Sequence, residues 1–332
     1  MESLTLPPIT MGQTRDLLIK FAKNKEYRRL DITAKRLHID PPFSEEGGIG
    51  LSYGDDGFNY LGDAFSIGLA VDTLQSGLEL LGDASVQAQH RNGHYEEITS
   101  HGRFHSGAQM SINLTRISPD ERQLFVQSEN AGSFFRLTGL TSSVDGGALV
   151  TDNVIIHNSF PNRASNNLRM SGGMNIYNIN VHDLPLLART ASLAALSGVP
   201  AALRGDGIPF RKGSFSFRLV GDILTIENGL FKGSIGITTR GDYNVESQAM
   251  NIGGSLIPFY RINSAFGKVP LLGRLVGDNG LVGFSYQITG NARDPDVNVN
   301  PLSGLALGRL REVIDNDADL LPSGTPSGTP IN

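Results

Sequence analysis

Three groups of residues in this 332-residue chain have the types and spacing that chemistry requires. Gly50-Leu51-Ser52-Tyr53-Gly54 matches G-x-S-x-G, the pattern that lifts a nucleophilic serine out of a sharp strand-to-helix turn. Gly57, Gly62 and a further strand pattern follow it, with no helix to receive the turn, so a plain turn is preferred over a hydrolase built on Ser52. His90, His94, His101 and His105 form two H-x3-H pairs. Residues four apart on a strand share a face, so two adjacent strands could converge four imidazoles on zinc. Only Glu96 and Glu97 stand near to orient them, and Arg91-Asn92-Gly93 reads as a solvated turn, so exposed strand histidines and no metal are expected. Asp315, Asp317 and Asp319 copy the start of a calcium loop, but Leu320 occupies the glycine position and no glutamate closes it. With no P-loop and no dinucleotide fingerprint, neither a cofactor nor a catalytic residue is expected.

The elements around these residues are dictated by composition. Glycine makes up 40 of 332 residues, about 12% against an average near 7%, and each would cost about 1 kcal/mol inside a helix. Helical bundles are excluded, and short strands with frequent turns remain. Lys plus Arg is 28 and Asp plus Glu is 33, a formal charge of −5 with no basic run, which excludes nucleic acid as a partner. The absence of Cys excludes disulfides, thiolate nucleophiles and cysteine-ligated metals. The N-terminus lacks a basic stretch followed by an apolar one, so no signal peptide is read there, and no apolar run is long enough to span a membrane.

Residues 13–25 are expected to form a short amphipathic helix with Leu17, Leu18 and Phe21 on one face. Period-two alternation then predicts strands: Leu30, Ile32 and Ala34, followed by runs near 64–72, 78–90, 95–105 and 107–117 in an antiparallel meander. The turn at Ser118-Pro119-Asp120 suggests a boundary, giving a β-rich segment over 1–117 and a second region over 118–314. A low-complexity tail covers 315–332. In the second region Phe215, Phe217 and Leu219 share a face, as do Leu224 and Ile226, Ile235 and Ile237, and Phe284, Tyr286 and Ile288. Residues 184–196, with Leu184, Leu186, Leu187, Leu193 and Leu196, predict an apolar helix suited to a membrane surface, and 305–314 a short closing helix.

From Leu124 onward the chain resembles the AsmA-like C-terminal region family of Gram-negative envelope proteins, its YhdP-like branch above all. The match includes 124–140 as a strand and Asn-Ala-Gly turn, and Val144-Asp145-Gly146-Gly147 as a hairpin. It continues through Leu184–Leu196 and a lead-in to the next strand at 205–210. The most specific stretch holds Pro258, Tyr260, Asn263, Pro270, Leu271, Leu272 and Gly273, followed by Gly290 and Pro295 in the closing strands.

The resemblance implies a mainly β fold: a long, twisted antiparallel sheet curled into an open, taco-like groove with an apolar interior. It also implies a non-catalytic role, the shielding of phospholipid acyl chains in transit between inner and outer membranes. Phe215, Phe217, Leu219, Leu224, Ile226, Ile235, Ile237, Phe284, Tyr286 and Ile288 are the expected groove residues. Phospholipid, the two membrane surfaces and other envelope proteins are the expected partners. A periplasmic location is expected, within an inner-membrane-anchored protein whose anchor this chain does not carry. The alternative is an envelope assembly factor that binds proteins through its sheet edges.

Overall fold

The computed structural model describes residues 2–23, 27–42, 64–91, 94–157, 169–182, 207–233, 235–258, 284–292 and 294–300. These residues form one large mixed sheet that does not close on itself, with one short helix. The strands of the first half are β1 (Glu2–Thr5), β2 (Ile9–Met11), β3 (Thr14–Lys23), β4 (Arg28–Ile39), β5 (Ala64–Ser76), β6 (Glu79–Arg91), β7 (His94–Phe104), β8 (Gln109–Arg116) and β9 (Glu121–Ser128). Helix α1 (Ala131–Thr138) follows. The second half contains β10 (Val144–Asp145), β11 (Ala148–His157), β12 (Arg169–Val181), β13 (Ile208–Val220), β14 (Ile223–Gly233), β15 (Ile235–Asn244), β16 (Ala249–Pro258), β17 (Phe284–Asn291) and β18 (Asp294–Asn300).

Each strand lies beside its predecessor from β2 to β9, and β9 then pairs with β11. The order continues from β11 through β12 to β18. Both β1 and β2 lie on the free edge of β3, and β10 lies beside β12 in line with β11. The sheet passes unbroken through the turn at 118–120, because β8 and β9 pair across it.

Strand runs expected from alternation appear where period two was cleanest, and four expectations change. Residues 14–23 are a strand rather than a helix: Leu17, Ile19 and Phe21 alternate on one face, and β1, β2 and β4 saturate both backbone edges of β3. The sheet is not wholly antiparallel, since β4 and β5 run parallel in register from Arg28↔Phe65 to Ile39↔Ser76. A parallel pair cannot be joined by a tight hairpin, and the Gly/Asp-rich stretch between these strands supplies the length. The Asn-Ala-Gly turn is in fact the start of α1. Asn130 caps the helix by accepting from the Ser133 N–H, and Gly139 ends it at φ 78°. Finally, 144–147 is not a hairpin. The Gly146 and Gly147 carbonyls accept from the Gly132 and Ala131 N–H groups, docking the first turn of α1. The expected helices at 184–196 and 305–314 lie outside the described residues.

Alternation slips by one residue within many strands. Register shifts fall at Gly82/Ser85 between β6 and β7, at Asp152/Ile155 between β11 and β12, and at Ile226/Gly229 between β14 and β15. Asp83 and Asn153 adopt positive φ there. Such bulges bend a strand and increase its twist. Two inward glycines serve close approach rather than turning. A Cβ on Gly254 would lie 1.8 Å from the Thr238 carbonyl oxygen, and one on Gly213 would lie 2.5 Å from the Phe231 ring. Above Gly254, the Tyr286 hydroxyl donates to that same carbonyl at 2.9 Å.

Candidate functional site

One face of the sheet is apolar over most of its strands. In register, Leu4, Phe21, Leu30, Ile67, Ala88, Ile98, Leu114 and Leu124 stand side by side from β1 to β9. Val154 takes the row into β11, and Ile156, Met170, Leu219 and Leu224 carry it to β14. Nine of the ten expected groove residues fall on this same face. Phe217 is opposite Ile226 and Leu219 opposite Leu224, while Ile237 and Phe284 flank Leu256. Phe215 is linked through Gly229, Thr239 and Gly254 to Tyr286, and Ile288 through Ile252 and Gly241 to Ile226. Phe217, Leu219, Ile235, Ile237 and Tyr286 are buried, and Phe215, Leu224, Ile226 and Ile288 are half-buried. Burial also pushes the Tyr286 phenol above its ordinary pKa.

Helix α1 fills one end of this face. Phe134, Phe135 and Leu137 pack into the same core as Phe104, Met110, Leu149 and Phe210. The Ser76 hydroxyl donates to the Leu137 carbonyl at 2.7 Å, and Arg136 pairs with Glu79 and, at 3.0 Å, with Asp145. Burial lowers the Arg136 pKa, but the hydrogen bonds and charges of Glu79 and Asp145 outweigh it, and the net shift is upward. At this same end the chain leaves the sheet after Val181, Pro258 and Asn300. Leu184, Leu186, Leu187, Leu193 and Leu196 lie in the stretches that begin there, outside the described residues. So do Tyr260, Asn263, Pro270, Leu271, Leu272 and Gly273. Of the remaining motif residues, Pro258 closes β16 opposite Ile235, and Gly290 is opposite Pro295.

The opposite end is built from rings and cations. His90 is buried and stacked on Phe65 with ring centroids 4.4 Å apart, and Tyr95 meets His90 edge-on at 5.3 Å. His101 and His105 are exposed, with His101 beside Ser85. His90 was expected to be exposed; instead it continues the inward alternation of Ala84 and Ala88 along β6 and is covered by the rings of Phe65 and Tyr95. The four histidines therefore do not converge, and no three His, Cys, Asp or Glu side chains among the described residues could hold a metal. Next to the ring cluster Arg122 is only 4% exposed. Its Nε donates to the Tyr95 carbonyl at 2.9 Å and Nη1 to the Pro119 carbonyl at 2.9 Å, and Nη2 has no partner. Ser52, Asp315, Asp317 and Asp319 lie outside the described residues.

No family model, curated protein or solved structure matches this chain. Among the described residues, no helix is long and apolar enough to cross a membrane. Sequence reasoning missed two parts of the site, α1 and Arg122. Both left a signal: Asn130 and Gly139 bracket the helix as its two caps. In ERQLFVQS the alternation that sets Leu124, Val126 and Ser128 inward sets Arg122 inward as well.

Proposed function

We propose that this protein is a non-catalytic lipid carrier whose sheet curls into an open groove and shields phospholipid acyl chains. The carrying observation is the apolar face itself, which runs in register across almost every strand and has no second sheet packed on it among the described residues. A flat single-layer sheet leaves its face in water, yet Phe65, in the apolar cluster remote from α1, is 2% exposed. Bulges and inward glycines supply the bending that such burial requires. Each buried CH₂ contributes about 0.8 kcal/mol, so about ten of them hold a chain with about 8 kcal/mol while aliphatic contacts still allow sliding. The resemblance of 124–313 to AsmA-like C-terminal regions supports the same reading. On this reading the protein works in the periplasm of a Gram-negative cell, between the two membranes. The test is a photo-crosslinking residue at Phe217 or Ile237 in cells. Lipid adducts are expected at both, and their complete absence overturns the proposal.

A second reading is favoured by the β1 and β2 edge, where Leu4 is 59% and Met11 73% exposed. Unpaired apolar edges accept a strand from another protein, and on this reading the chain is an envelope assembly factor. Stoichiometric co-purification of an outer-membrane protein, with no lipid in the preparation, would establish it.

A further inference from the structure

We infer that Arg122 seats a phosphate-type oxyanion at the end of the apolar face opposite α1, so that the carried lipid is an anionic amphiphile held headgroup-first. The inference rests on the lipid-carrier reading and adds the ligand's chemistry and polarity. Three observations converge on it. First, the guanidinium of Arg122 is more than nine-tenths buried, and among the described residues no carboxylate pairs with it and its partners are the Tyr95 and Pro119 carbonyls. A buried charge without a counter-charge is costly, and its unpartnered Nη2 is a donor awaiting an acceptor from outside the protein. Second, the register opposes Arg122 to Arg116, a like-charged neighbour. Arg116 is answered by Glu96 at 2.8 Å, so the pair retains one uncompensated positive charge. Third, Arg28 stands on the same face two strands from the His90–Tyr95 rings, opposite Phe65. At the outer edge Lys23 is opposite Glu2.

Chemically, a guanidinium fork suits the paired oxygens of a phosphate. Leu114, Ile156, Phe65 and Tyr95, which form an apolar cluster at this end, receive the first methylenes below it. The bound lipid then lies with its phosphate at Arg122 and its chains pointing along the apolar rows toward α1.

The experiment compares dioctanoyl phosphatidic acid with dioctanoylglycerol, which differ only in the phosphate, both below their micelle-forming concentrations. Inorganic phosphate is the third probe. The full chain is used as native protein, Arg122→Gln and Arg122→Lys, with melting curves confirming that each variant folds. Native protein is expected to bind the phosphatidic acid at least tenfold more tightly than the glycerol. Arg122→Gln should lose that preference without changing affinity for the glycerol, and Arg122→Lys should retain part of it. Weak or no competition by inorganic phosphate identifies a lipid headgroup as the source. Competition at comparable affinity identifies free phosphate, and the oxyanion seat stands without its lipid. Equal binding of both amphiphiles by native protein overturns the seat and leaves the groove intact, whatever the variants do. Binding of neither amphiphile overturns the lipid-carrier reading, and the seat then survives only if inorganic phosphate binds in an Arg122-dependent manner.

Discussion

The apolar face ends in an arginine at both extremities, and the two arginines are treated oppositely. At the α1 end Arg136 has two carboxylates, a backbone carbonyl and a hydroxyl around it, and the helix packs over the sheet beside it. At the other end Arg122 is more deeply buried, yet among the described residues only neutral carbonyls meet it. A charge answered inside the protein braces the fold. One left unanswered serves the fold poorly and serves a ligand well. The contrast separates a finished end from an end built to be completed.

The largest effect should come from lifting α1 off the sheet. A Cβ on Gly132 would lie 2.5 Å from the Val144 carbonyl oxygen and 2.9 Å from two further backbone atoms. Gly132→Ala is therefore expected to lose about 3 kcal/mol in urea unfolding. A loss under about 0.5 kcal/mol would show that the helix is not clamped. Next comes the direct comparison of the arginines. Arg136→Gln strands Glu79 and Asp145 and should cost about 2 kcal/mol, reduced from a fully buried pair because Arg136 is partly exposed. Without ligand, Arg122→Gln should change stability by less than about 1 kcal/mol, since losing its two hydrogen bonds is offset by removing a buried charge. If the two variants lose equal stability, Arg122 is a brace and the contrast between the ends collapses. Between the two arginine variants falls Ser76→Ala, which removes the bond to the Leu137 carbonyl and should cost about 1 kcal/mol by thermal melting.

Much of this architecture was legible residue by residue. The strands over 64–104 and the shared face of Phe215, Phe217 and Leu219 follow from period-two alternation, because a pleated strand sends successive side chains to opposite sides. Residues 14–23 misled because Leu17, Leu18 and Phe21 fit a helical stripe as well as a strand. Only pairing with β1, β2 and β4 decides between them. His90 misled for another reason. Its face follows the period-two step from Ala84 and Ala88, but its burial comes from the Phe65 and Tyr95 rings on neighbouring strands, which local sequence does not reveal. Helix α1 is two turns long and has a glycine in its first turn, so its propensity is weak. What holds it is the docking of that glycine against β10.

By itself the sequence determined that this chain would be a glycine-rich, mainly β protein with apolar residues alternating along its strands. It also determined that Arg122 would fall in step with Leu124 and Val126. Those properties are local, set by side-chain type and a period of two. Tertiary structure alone decided that β4 and β5 run parallel, that α1 occupies one end of the apolar face, and that Arg122 is buried with no described carboxylate paired to it. Each of these depends on which strands become neighbours, and strand neighbours are chosen by contacts between residues far apart in the chain.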